Sequence, residues 1–265
     1  MNMILYKNGI RGSLKLLLIL ASVLAMYFVL IIAMFDPELG AALNELAKSM
    51  PQIMAMFGMD EVGSGLIGFM SNYLYGFIML VLPMVFSILT ANRLVAKQVE
   101  QGSMAYLLAA PVSRLKIAFT QMKVLGSGVF VLVGFATLVG YASAKVLFPG
   151  ELDTGLFLLI NFGALCLQFF ISGICFLASC IFNDTKYSVG LGAGIPALAF
   201  ILQMMANIGN ELEKAKYTTF FTLFNPDGII KGENTAFGRI IALAVGAIAL
   251  YTTAILVFAK KDMPV

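Results

Sequence analysis

Three cysteines (Cys166, Cys175, Cys180) and four methionines around Phe57 (Met50, Met54, Met56, Met59) are the side chains of this sequence best suited to a soft metal. The cysteines lie in one apolar stretch without the paired spacing of a zinc site, so they read as small buried hydrophobes. A methionine cluster can take Cu(I), but a flexible apolar contact with lipid or a neighbouring helix accounts for it without a metal. The run Gly63-Ser64-Gly65-Leu66-Ile67-Gly68 spells G-x-G-x-x-G. No strand precedes it and no acid lies about 20 residues on, so it reads as a flexible lead-in to a helix. Histidine is absent, which removes the commonest metal ligand and general base. The chain has no H-E-x-x-H, no G-x-S-x-G and no G-x-x-x-x-G-K-[ST] motif. With no titratable cluster, it reads as neither an enzyme nor a cofactor-binding chain.

One stretch is polar where its surroundings are not. Val99–Gln121, VEQGSMAYLLAAPVSRLKIAFTQ, carries Glu100, Arg114 and Lys116, with breaks at Gly102-Ser103 and Pro111. Gly102 ends one helix. Ser103 then has the side chain to cap a short helix over 104–110, which Pro111 stops. Ser113 is placed to cap the helix after it. The spacing predicts a helical elbow about two turns long, with Tyr106, Leu107 and Leu108 projecting from it as a docking knob.

The elements on either side must be membrane spans. The chain of 265 residues is 60% hydrophobic and 12% charged, about half the charged share of a soluble domain. Six stretches reach the ~20 apolar residues a bilayer crossing takes, near 14–35, 66–91, 117–147, 155–182, 188–207 and 237–259. They form one domain over 1–265, with the polar segment 92–116 between spans two and three. The first is too long for a cleavable signal and reads as an anchor. Lys7, Arg11 and Lys15 recur at i, i+4 and i+8, which predicts an N-terminal amphipathic helix on the membrane interface. The loops divide the charge: eleven basic and three acidic residues fall on one side, six basic and eleven acidic on the other. The basic side is then cytoplasmic, with both termini inside a cell membrane, and the net charge of +3 reflects topology and not nucleic acid. Lys123 and Lys145 lie close enough to span ends to snorkel. Gly190 and Gly194 offer a small-residue packing face, and Pro196 a kink. The outer segment 208–238 carries Tyr217, Phe220, Phe221 and Phe224 before an Asn225-Pro226-Asp227-Gly228 turn signal, as an interfacial dip or a loop. Span interiors hold only neutral polars (Asn72, Asn161, Gln168, Gln203), which suit interhelical hydrogen bonds. They hold no carboxylate for a coupling ion.

The pattern E-x-G-(T/S)-x-x-x-L-L-x-x-P-(V/I)-S-R, met here by Glu100, Gly102, Ser103, Leu107, Leu108, Pro111, Ser113 and Arg114, resembles the segment after the second span of type-2 ABC-transporter permeases. Six spans, a basic interfacial N-terminus and a long outer segment before the last span agree with it. The resemblance implies an all-α permease whose elbow is a coupling helix, seated in a separate ATP-binding subunit. Two such subunits would bind ATP and Mg, and a second permease copy or a paralogue would complete the path. Glu100, Gly102, Ser103, Tyr106, Leu107, Leu108, Pro111 and Arg114 are the implied coupling residues. Peptides, drugs, lipids and polysaccharide are all compatible as exported cargo. A small channel or scaffold without ATP coupling is the alternative, ahead of a membrane-embedded enzyme.

Overall fold

The computed structural model describes residues 2–35, 49–56, 65–104, 107, 112–208 and 210–261. It is an all-α membrane fold: six helices or helical runs are long and apolar enough to cross a bilayer. The first is α1 (Met3–Ala33). A short α2 (Pro51–Met56) precedes the second span. That span is built from α3 (Gly65–Met70), a π-helical turn (Ser71–Tyr75), α4 (Ile78–Leu94) and α5 (Ala96–Glu100). Spans three to five are α6 (Arg114–Leu147), α7 (Thr154–Ile181) and α8 (Thr185–Asn207). Two 3-10 turns (Asn210–Thr218, Phe220–Leu223) and α9 (Pro226–Ile230) lead to the last, α10 (Asn234–Lys260).

Side-chain caps fix the helix starts. Asn2 accepts from the amides of Ile4 and Leu5 at α1, Asp153 from Leu156 at α7 and Asp184 from Lys186 at α8. Each satisfies amides that have no intrahelical partner. At 34 residues and 1.5 Å per residue, α6 is about 51 Å long, well beyond a hydrocarbon core of ~30 Å. α1, with 31 residues, is a single unbroken helix. The N-terminal interfacial segment is thus the first part of the first span's own helix.

The most enclosed helix is α7, packed against α10, α8, α4 and α6, while α1 lies against α6 and α4. Its polar side chains hold the bundle. Pro83 sits inside α4 and has no N–H for the carbonyl of Met79, four residues back. The Gln168 amide of α7 replaces it, donating from Nε2 to Met79 O at 3.0 Å and Leu80 O at 2.9 Å. Asn161 donates to Tyr75 OH at 2.6 Å and accepts from Thr137 at 2.9 Å, joining the π-turn, α6 and α7. Both residues are therefore interhelical hydrogen-bonders. Glycine sets the close approaches elsewhere: a Cβ at Gly140 would lie 2.8 Å from Phe28 Cδ1 and 3.1 Å from Phe157 Cζ.

The local expectations meet mixed outcomes. The Gly190/Gly194 face meets nothing within 4 Å, and the close contact is made by the glycine midway between them, where Gly192 lies against Cys175 and Ala178 of α7. Pro196 lies inside α8. The Asn225–Gly228 turn is the capped start of α9, with Asn225 accepting from the Gly228 amide and Pro226 in the first helical position. The outer aromatics dip into the bundle: Phe221 and Phe224 are buried, Phe220 half-buried, and only Tyr217 stands out, at 84% exposure. Lys123 and Lys145 lie exposed on α6, their ammonium groups 4.8 Å from the Phe119 ring centroid and 5.6 Å from that of Tyr141. The three cysteines are buried free thiols. Phe57, Met59 and Gly63-Ser64 lie outside the described residues, and Met50 is exposed.

Candidate functional site

The helix leaving span two is not continuous. It breaks at buried Val95 (φ −125, ψ −75) between α4 and α5. The five-residue α5 then closes on Gly102, whose φ of +69 is in the left-handed region. The Gly102 amide donates to Val99 O at 3.0 Å. Ser103 Oγ, not its amide, takes the Gln98 carbonyl at 3.1 Å. This is a Schellman-like stop in which a hydroxyl fills one of the two usual amide positions. Ser103 thus helps to finish α5, and the helix over 104–110 that it was expected to cap lies largely outside the described residues. Ser113 stands at the N-cap of α6 with extended backbone, but its hydroxyl makes no capping bond.

Glu100, Gln101, Gly102 and Ser103 are all exposed. Met104 is buried, and Leu107 is half-buried against the protein's own core. Leu107 thus packs inward instead of projecting as a knob, since an apolar side chain close to a bundle end has a dry surface to cover. Tyr106, Leu108 and Pro111 lie outside the described residues. The face this elbow offers a partner is, among the described residues, polar.

Arg114 is one of the implied coupling residues. Its Nη1 donates to the carbonyl of Lys261 at 2.8 Å, just beyond α10, and Lys261 Nζ donates to Cys180 O at 3.0 Å near the end of α7. Burial pushes the Lys261 ammonium below the ordinary lysine pKa. A chain of charge-assisted bonds therefore links the helix after the elbow to the ends of two further spans. On the other flank, Arg93 reaches into α1, donating to the Gly12 carbonyl, to Ser13 Oγ and, at 3.4 Å, to Gly9 O. Gly12 makes room: a Cβ there would lie 3.2 Å from Arg93 Cζ. Sequence reasoning missed this seat, although Gly9-Gly12-Ser13 recur at i, i+3, i+4. Asn2 ties the same end together through its amide to Thr120 Oγ1 at 3.1 Å. Residues 2, 93, 114 and 261 thus gather at one end, the basic side of the charge division.

The opposite end holds a polar pocket of about 430 Å³. The π-turn brings Ser71 and Asn72 to it, α8 brings Gln203 and Asn207, and the outer segment brings Thr222 and Asp227. A π-turn adds a residue to the helical ring and often marks a functional position. Thr222 donates to Gln203 Oε1 at 2.9 Å, Gln203 to Asn207 at 2.9 Å and Ser71 to Asp227 at 3.4 Å. Lys216, Glu233 and Arg239 also line the pocket. It can hold a small polar group at the bundle's acidic end. Among the described residues no group of three or more His, Cys, Asp or Glu could hold a metal. Compared with known protein families and with curated proteins, the chain matches none of them.

Proposed function

We propose that this chain is the membrane subunit of an ATP-driven exporter of the type-2 ABC class, coupled through its elbow to a separate ATP-binding subunit. The observation that carries the reading is the glycine-stopped α5. It presents an exposed Glu100–Ser103 turn between the second span and a 34-residue third one. A partner that grips this turn would pull directly on α5 and through it on the second span. Two bonded links give that pull somewhere to go: Arg114 to Lys261 and Cys180, and Arg93 to α1. The six spans carry no carboxylate beyond Glu100, so in this reading the driving energy is supplied by ATP hydrolysed in the partner, with Mg there. The basic end is the cytoplasmic one. A second copy or paralogue completes the path, and the open Gly190/Gly194 face of α8 suits close helix pairing between copies.

The test is cross-linking. Gln101→Cys and Ser103→Cys, in a background without the native cysteines, should each cross-link to an ATP-binding subunit in the assembled complex. Cysteines at the other end, such as Thr235→Cys, should not. Cross-linking from Thr235→Cys alone would place the partner at the wrong end and defeat the reading.

A further inference from the structure

A second concavity, of about 940 Å³, runs along the outside of the bundle between α1, α6 and α10, with α7 as its floor. From the basic end inward, α6 contributes Phe119, Lys123, Gly126, Ser127 and Phe130, and α10 contributes the stretch from Ile255 back to Ala244. Those eleven residues of rise span about 16 Å, close to one leaflet of a hydrocarbon core ~30 Å thick.

Its hydroxyl groups are already satisfied. Tyr6 OH donates to Ser127 Oγ at 3.1 Å, Ser127 to Val124 O at 3.0 Å and Thr252 to Ile248 O at 2.7 Å, while Tyr251 pairs with Ser172 at 2.6 Å. The groove wall therefore asks for hydrocarbon. Among the described lining residues Lys123 is the only charged one. It lies nine residues, about 14 Å, from the first residue of α6, near the boundary where that long helix enters the membrane. Lys116, exposed, precedes it by seven residues on the same helical face. Gly126 keeps the middle open: a Cβ there would come no nearer than 3.7 Å to Phe169.

We infer that this groove is a binding site for a phospholipid with an anionic headgroup, in the leaflet at the basic end. Acyl chain fills the channel floored by Phe169 and Cys166, and the headgroup phosphate pairs with Lys123, with Lys116 extending the positive face outward. A basic mouth above an apolar, leaflet-length channel between spans is the chemistry that selects such a lipid. A bound lipid would bridge the third and sixth spans. The inference needs only that the chain spans a membrane and is independent of the proposed ATP coupling.

The experiment is native mass spectrometry of the purified chain from nanodiscs of mixed phosphatidylglycerol and phosphatidylcholine, with detergent thermal stability as a folding control. The wild type should retain phosphatidylglycerol above its bulk share. Lys123→Gln, a change on an exposed face, should lower that retention about fivefold, the effect of one near-surface cation. Gly126→Leu should abolish it by filling the channel. Lys186→Gln, a basic-side control outside the groove, should change nothing. Equal retention of the two lipids, or insensitivity to both groove variants, would overturn the inference. So would disulfide cross-linking of Phe130→Cys between two copies, which would give the groove to a second chain.

Discussion

Replacing Gln168 by Leu tests how the bundle core is held. The side-chain amide makes two donor bonds into α4, and one goes to Met79 O, which Pro83 deprives of its helical donor. An interhelical hydrogen bond in a membrane protein contributes about 0.6 kcal/mol on average and at most ~1.7. A carbonyl left unpaired in a dry interior costs about 1–3 kcal/mol. Against these, Gln168 Oε1 is buried without a partner among the described residues, and leucine removes that cost. The expected net loss is about 1–2 kcal/mol, read as a lower unfolding midpoint in detergent or by steric trapping in bicelles. The sharper measure is a double-mutant cycle with Pro83→Ala, which restores an N–H for Met79 O. In that background Gln168→Leu should cost at least about 1 kcal/mol less. If the two changes are additive, Gln168 is not compensating for the proline and the argument fails.

Gly140→Leu should destabilise the lone chain by about 1–3 kcal/mol through overpacking against buried Phe28 and Phe157. Gly190→Leu, facing open space, should leave its thermal midpoint unchanged and weaken self-association on sedimentation; the reverse order would contradict both packing claims. In intact cells an impermeant maleimide should label Thr235→Cys from outside and leave Gln101→Cys unlabelled, with the three buried cysteines removed. Outside labelling at Gln101 inverts the topology. Arg114→Ala, which cuts the bond to Lys261 O, should keep the ATP-binding subunit attached while lowering transport per ATP hydrolysed. Loss of attachment would make Arg114 a docking residue instead.

The class of fold was legible because lipid imposes so coarse a rule: a span must be apolar for about 20 residues, and all six met it. The helix stop at Gly102 was legible for the same kind of reason, since a glycine just past an apolar run favours the left-handed conformation found there. What composition and spacing did not reveal are pairings at long sequence separation. Nothing in the letters links Arg93 to Gly9 and Gly12, or Gln168 to a proline 85 positions earlier. Packing faces failed too, because a bilayer is as apolar as a helix neighbour. The glycines of α8 at 190 and 194 look the same in sequence whether they meet α7 or lipid. The bond from Ser103 back to Gln98 was not legible either, since a serine after a helix-ending glycine has backbone partners on both sides in sequence.

The central claim is that the elbow couples this bundle to ATP hydrolysed elsewhere, and reconstitution of the complex with and without its ATP-binding subunit tests it most directly. The chain alone in proteoliposomes should show neither ATP hydrolysis nor cargo movement under a proton or sodium gradient. With the subunit added, ATP hydrolysis should drive cargo movement, and Glu100→Ala should retain hydrolysis while losing most of that transport. Ion-driven movement by the chain alone, or transport by the complex that is indifferent to Glu100→Ala, would contradict the account.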